Sequence, residues 1–139
     1  MKILLAVDGS RYTKKMLAYL ATREFFSQGH DYTVLTVQPK MSLRVQAAVG
    51  KEAMVAYYAE EVEKILAPVS KFLLRHGINA KSSWKTGPVG STIARFAEDG
   101  KFDLLIMGSH GHGTVVNLVM GSVATKVLAE CKVPVLLMR

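Results

Sequence analysis

Four short apolar runs, alternating with stretches of helical period, constrain this chain more than any other feature of its sequence. Lys2–Val7 (KILLAV), Tyr32–Val37 (YTVLTV), Phe102–Met107 (FDLLIM) and Val133–Met138 (VPVLLM) are each about strand length. Continuous rather than alternating apolar character predicts strands covered on both faces. Ala80–Thr86 (AKSSWKT) is a weaker, amphipathic segment that suits a sheet edge. Pro134 cannot donate to a ladder, so the last strand should lie at an edge or begin near it.

Helices are predicted between these runs. Met16, Leu20 and Phe25, with Leu17 and Ala21 beside them, recur near helical spacing. Val55, Ala59, Val62, Leu66, Val69 and Leu73 are spaced 4, 3, 4, 3 and 4, which aligns them on one face. Pro68 falls inside that pattern and should kink or split the helix, and Gly77 should end it. A short helix carries Ile93, Phe96 and Ala97, and a last one runs from about Ser122 to Glu130. Gln38–Lys51, with Pro39 and Gly50, reads as a long loop.

Strand and helix thus alternate from end to end. This predicts an α/β fold of Rossmann-like type: one doubly wound domain over residues 1–139, with a five-stranded parallel sheet and helices on both faces. A chain of this length buries enough surface to need no staples. Ligands of such sheets sit beyond the carboxyl ends of the strands. That directs attention to Asp8-Gly9-Ser10 and to the segment from Gly108 onward.

Composition narrows the class. No apolar run is long enough to cross a membrane, and the opening MKILLAVDGS has too short an apolar stretch for a signal peptide. The single Cys131 forbids an internal disulfide and fits a reducing compartment, so a cytoplasmic location is expected. The net charge is +7, but the cations are scattered, with Lys14-Lys15 the one adjacent pair, and no aromatic-interleaved basic stretch suggests stacking on bases. This disfavours nucleic acid as a partner.

The loop Gly108–Lys126 (GSHGHGTVVNLVMGSVATK) offers glycines, whose N–H groups can approach an anion closely, and then a helix start. Gly121 and Ser122 lie where a phosphate would be held, although a simple connecting turn would also use such residues. A Walker loop fails because Thr114 follows Gly113 where lysine is required, and the dinucleotide fingerprint fails at Val116. Asp8 can accept from a ribose hydroxyl, help hold a hydrated cation, or serve as a turn carboxylate. A phosphoacceptor role would need further acids around it. His110 and His112 can contact phosphate or a metal, yet no third ligand is spaced to complete a metal site. Cys131 has no nearby histidine and reads as structural. No Ser/His/Asp order or Gly-x-Ser-x-Gly elbow is present, and nothing in the sequence reads as a dedicated catalytic centre.

Over its full length the chain resembles the universal stress protein family. The resemblance rests on Gly108-x2-Gly111-x9-Gly121-Ser122, the pattern of the ATP-binding branch, on the opening ILLAVDGS and on the ending CKVPVLLMR. It implies strand order 3-2-1-4-5, which brings Asp8 and Gly108 together. It implies that Ala6, Val7 and Asp8 meet adenine and ribose, that Val37 meets adenine, and that Met107 and Gly108 lie near the ribose and α-phosphate. Gly111, Gly121, Ser122 and Val123 match the triphosphate cradle, with His110, His112 and Gly113 in the same loop. The implied ligand is ATP, with or without Mg, and AMP or cyclic AMP are the alternatives. The family commonly dimerises through the terminal strand, here 133–138. The loop from Met107 to Thr125 carries no charged residue, so phosphate would rely on N–H groups, the two histidines and Lys126. The apolar stretch after Gly113 could cover the site or meet a partner. The rival readings are an interaction module of the same fold without nucleotide, and an adenylate-forming enzyme. The enzyme would need a Ser-Gly-Gly loop after the first strand, which DGSRYT does not supply.

Overall fold

The structure is a computed structural model that describes residues 1–26, 29–113 and 119–139, with the side chain of Phe25 left aside. The elements are β1 (Lys2–Ala6), α1 (Arg11–Ala21), a 3₁₀ turn (Glu24–Phe26), β2 (Asp31–Gln38), α2 (Leu43–Val49) and α3 (Lys51–Arg75). They continue with β3 (Lys81–Thr86), α4 (Val89–Asp99), β4 (Leu104–Gly108), α5 (Ser122–Glu130) and β5 (Val135–Met138). The five strands form one sheet in the order β3-β2-β1-β4-β5, and every neighbouring pair is parallel. This is the order that the family resemblance implies.

The period-2 geometry of the strands divides the core into two layers. Ile3, Leu5 and Val7 face α1 and α3, where they meet Met16, Leu20, Val62, Leu66, Val69 and Leu73. Leu4 and Ala6 face α4 and α5, where they meet Ile93, Ala97, Ala124 and Val127. Both faces of β1 are therefore dry, which is why its sequence reads as an unbroken apolar run. β3 is an edge strand and mostly exposed, and its polar sequence reflects that. β5 forms the other edge and starts just after Pro134, whose carbonyl accepts from Leu105 N at 2.9 Å.

Several expectations need correction. The predicted loop at residues 38–51 contains α2, capped by Ser42, whose Oγ accepts from Val45 N at 3.2 Å. None of its residues is buried, so no core-facing period marks it in the sequence. Pro68 neither splits nor ends α3, which runs unbroken to Arg75. Pro68 is exposed, so water can reach the carbonyl that its missing N–H frees. Val55 and Ala59 share the helix stripe but are exposed, because this end of α3 is not covered. α1 stops at Ala21, so Phe25 falls in the 3₁₀ turn rather than on the helix. Gly77 closes α3 as expected: its N–H donates to Leu74 O at 3.1 Å and Ile78 N donates to Leu73 O at 2.9 Å.

Candidate functional site

β1 and β4 are sequence-distant neighbours at the centre of the sheet, and the chain leaves them in opposite directions. Connections on either side therefore diverge and open a crevice at the carboxyl ends. A cavity of ≈ 520 Å³ lies there. Ala6, Val7 and Asp8 enter it from the end of β1, Val37 from β2, and Met107 and Gly108 from β4. His110, Gly111, His112 and Gly113 line it from the following loop, and Gly121, Ser122 and Val123 from the start of α5. All thirteen candidate residues thus surround one space. The apolar stretch beginning at Thr114 lies, up to Leu118, outside the described residues.

Asp8 is fixed by its neighbours. Its Oδ1 accepts from Ser10 N at 2.9 Å and from the Thr13 hydroxyl at 3.2 Å, while its own N–H donates to Thr13 Oγ1 at 3.2 Å. Oδ2 remains turned to the loop after β4. A Cβ on Gly111 would stand 2.8 Å from it, so a larger residue there would have to displace the Asp8 carboxylate. His112 Nε2 donates to the Asp8 carbonyl oxygen across 2.7 Å and ties the loop to β1. His110 Nδ1 lies 2.8 Å from Ser109 Oγ, and its ring lies 5.2 Å from that of Tyr12.

The start of α5 is open. Gly121 occupies its N-cap position and supplies no side-chain cap, so free N–H groups and the positive end of the helix face the cavity. A Cβ on Gly121 would meet Ser109 O at 3.1 Å and His110 Cα at 3.2 Å. Lys126 does not help here. It packs over Gly90 and pairs with Glu130 at 3.1 Å, away from the cavity lining. Among the described residues no cluster of three metal-ligating side chains forms. Burial pushes the Cys131 thiol above its ordinary range, so it is a poor nucleophile at neutral pH.

Two hydroxyls at the cavity stand out: Ser10, in the segment the sequence already marks, and Thr36, which sequence reasoning misses. Ser10 is 5% exposed and Thr36 is 1% exposed, both line the cavity, and neither hydroxyl has a hydrogen-bond partner. Buried hydroxyls without partners are costly, and a ligand's polar groups would relieve that cost. Thr36 sits in the apolar run of β2 and looks like an ordinary β-branched strand residue. Its position at the carboxyl end of a central strand is the signal that could have marked it. Tyr12 and Thr13 also line the cavity from the first turn of α1. Glu61 reaches it from α3 and is paired with Lys64 at 3.3 Å.

The sequence model of the universal stress protein family matches residues 1–139. A universal stress protein of Thermus aquaticus is 33% identical over 138 residues, covering 99% of this chain and 97% of its own. Slr1230 of Synechocystis is 29% identical over 99% of this chain, which spans 42% of that relative's length. Among solved structures, the hypothetical protein MJ0577 superposes with a TM-score of 0.83 at 25% identity, covering 99% of this chain and 94% of its own. More distant structures share the fold. One, an Arabidopsis thaliana universal stress protein family protein with AMP bound, has a TM-score of 0.71 at 16% identity, covering 99% of this chain and 90% of its own. Another, a universal stress protein in complex with cAMP, has a TM-score of 0.66 at 16% identity, covering 100% of this chain and 97% of its own. No helix among the described residues is long and apolar enough to cross a membrane.

Proposed function

The chain belongs to the universal stress protein family, and from that premise we propose that it binds an adenine nucleotide, ATP before AMP or cyclic AMP, as a dimeric cytoplasmic switch. One observation carries the reading: the Asp8 carboxylate and the uncapped start of α5 open on the same cavity, at the point where β1 and β4 diverge. The cavity is apolar where Ala6, Val37 and Met107 would hold a base. It is polar where Asp8 Oδ2 would accept from a ribose hydroxyl, and rich in N–H donors where phosphate would lie. The orphaned hydroxyls of Ser10 and Thr36 and the Cβ-free cradle at Gly111 and Gly121 fit a ligand of this kind. The AMP and cAMP complexes of distant relatives support the adenosine part.

Hydrolysis is at most slow in this reading. The second carboxylate at the cavity, Glu61, is engaged by Lys64, and His112 is engaged by the Asp8 carbonyl. Among the described residues we assign no general base. The dimer is assigned to the half-buried apolar edge of β5.

The test begins with denaturing the purified protein and identifying any released nucleotide by chromatography and mass spectrometry. ATP is expected. AMP or cyclic AMP would keep the pocket and change the signal it reads. An empty protein whose melting temperature ignores saturating Mg-ATP would favour the nucleotide-free interaction module, because a ligand of the native state must raise that temperature. Gly121→Val should abolish binding with the circular dichroism spectrum unchanged.

A further inference from the structure

A polyphosphate entering this cavity would meet two carboxylates, Asp8 and Glu61, and no lysine or arginine along the described lining; the sequence of the loop from Met107 to Thr125 contains none either. Lys126, the first cation after that loop, is turned to Glu130. Backbone N–H groups carry only partial charge, so this lining leaves several phosphate charges unmatched.

The missing charge is present on α1. Arg11 and Lys15 both pack on the ring of Tyr12, with the guanidinium carbon 5.1 Å and the ammonium 5.3 Å from its centroid. Arg11 Nη2 also donates to the Tyr12 hydroxyl at 3.1 Å. Tyr12 lines the cavity. It also touches the cradle directly: its ring lies 5.2 Å from that of His110, and a Cβ on Gly108 would fall 2.6 Å from Tyr12 Cβ. The aromatic ring therefore holds two cations against a residue that lines the cavity, neither cation lining it itself.

The helix itself makes this placement informative. Cations in a first helical turn oppose the helix dipole, and natural helices favour acids there. α1 starts with Arg11, has no acid in its first turn, and its N-cap Ser10 leaves its buried hydroxyl unused instead of capping. Among the described residues neither Arg11 nor Lys15 forms an ion pair with an acidic side chain; Lys15 donates only to the Arg139 carbonyl oxygen at 3.4 Å. An anion at the cavity mouth would satisfy the dipole, the free N–H groups and both cations together.

We propose that Arg11, with Lys15, is the phosphate-charge partner of this site, held by Tyr12 at the mouth of the glycine cradle, and that it confers preference for the polyphosphate over the nucleoside. The proposal rests on the nucleotide reading above. The test is calorimetric titration of the full chain with ATP and, separately, adenosine, for wild type, Arg11→Gln, Arg11→Gln/Lys15→Gln and Lys14→Gln. Lys14 is exposed on the same helix, is not against Tyr12, and loses the same formal charge. The expected result is a loss of about ten-fold or more in ATP affinity for Arg11→Gln, deeper in the double variant, with adenosine changed less than about two-fold. Lys14→Gln should leave both affinities nearly unchanged. Equal loss for adenosine and ATP, no loss for ATP, or a loss for Lys14→Gln equal to that of Arg11→Gln would each overturn the assignment. Wild type that binds adenosine and ATP equally would overturn it while leaving the adenosine pocket standing. Wild type that binds neither would overturn the nucleotide reading itself.

Discussion

Tyr32 buries its phenol to 3% exposure and donates its hydroxyl to the Phe26 carbonyl oxygen at 2.7 Å. Burial penalises the phenolate and pushes the group up to about 12. An unfolded tyrosine titrates near 10, so between about pH 10 and 12 the native state keeps a proton that the unfolded chain has lost. The stability from this group is complete below about pH 10 and declines as pH rises through about 12, by on the order of 2 kcal/mol. Urea unfolding of wild type and Tyr32→Phe at about pH 9 and about pH 11 checks it. The wild type should lose more stability between the two, and parallel losses would remove the assignment. At this scale the sequence names Asp8, the glycines and the histidines by type and spacing. Thr36 stays hidden, and so does the unpaired state of the Ser10 hydroxyl, because an orphaned hydroxyl is defined by what surrounds it.

The helices show where local pattern reading succeeds and where it stops. α3 is visible because Val62, Leu66, Val69 and Leu73 face the sheet and repeat at helical spacing. Its end is also visible, because Gly77 takes φ +76, a conformation that side chains with a Cβ resist. The two terminal hydrogen bonds to Leu73 and Leu74 depend on that turn, and Ile78 and Leu73 pack in the same core layer. Gly77→Ala should destabilise the protein by roughly 1 kcal/mol, read as a lower urea midpoint with an unchanged slope. No change would mean that the turn relaxes without cost. α2 is invisible by the same logic that reveals α3: it buries nothing, so no period betrays it. Pro68 does not split α3, because the residue is exposed and water can take up the hydrogen bond it removes.

On the scale of the molecule, the sheet order leaves two edges. β3 is polar and charged, whereas β5 (VLLM) is apolar and half-buried at every position. An apolar edge with unpaired backbone groups invites pairing with another strand. Sedimentation equilibrium at micromolar concentration should give twice the 15.2 kDa chain mass. A single-chain mass would overturn the dimer.

Periodicity alone determines the five strands, the helices that bury a face and the two-layered core, but not the exposed α2. These are relations between residues two, three or four apart, which strand and helix geometry turns directly into faces. The strand order is legible only through family resemblance, because apolar runs do not state their neighbours. Tertiary structure alone decides that Tyr12 meets His110, that His112 reaches the Asp8 carbonyl, and that Lys126 turns away to Glu130. The first two contacts join residues about a hundred positions apart, and the last depends on which way a long side chain packs. Such juxtapositions are set by the packing of whole elements, which no local period encodes.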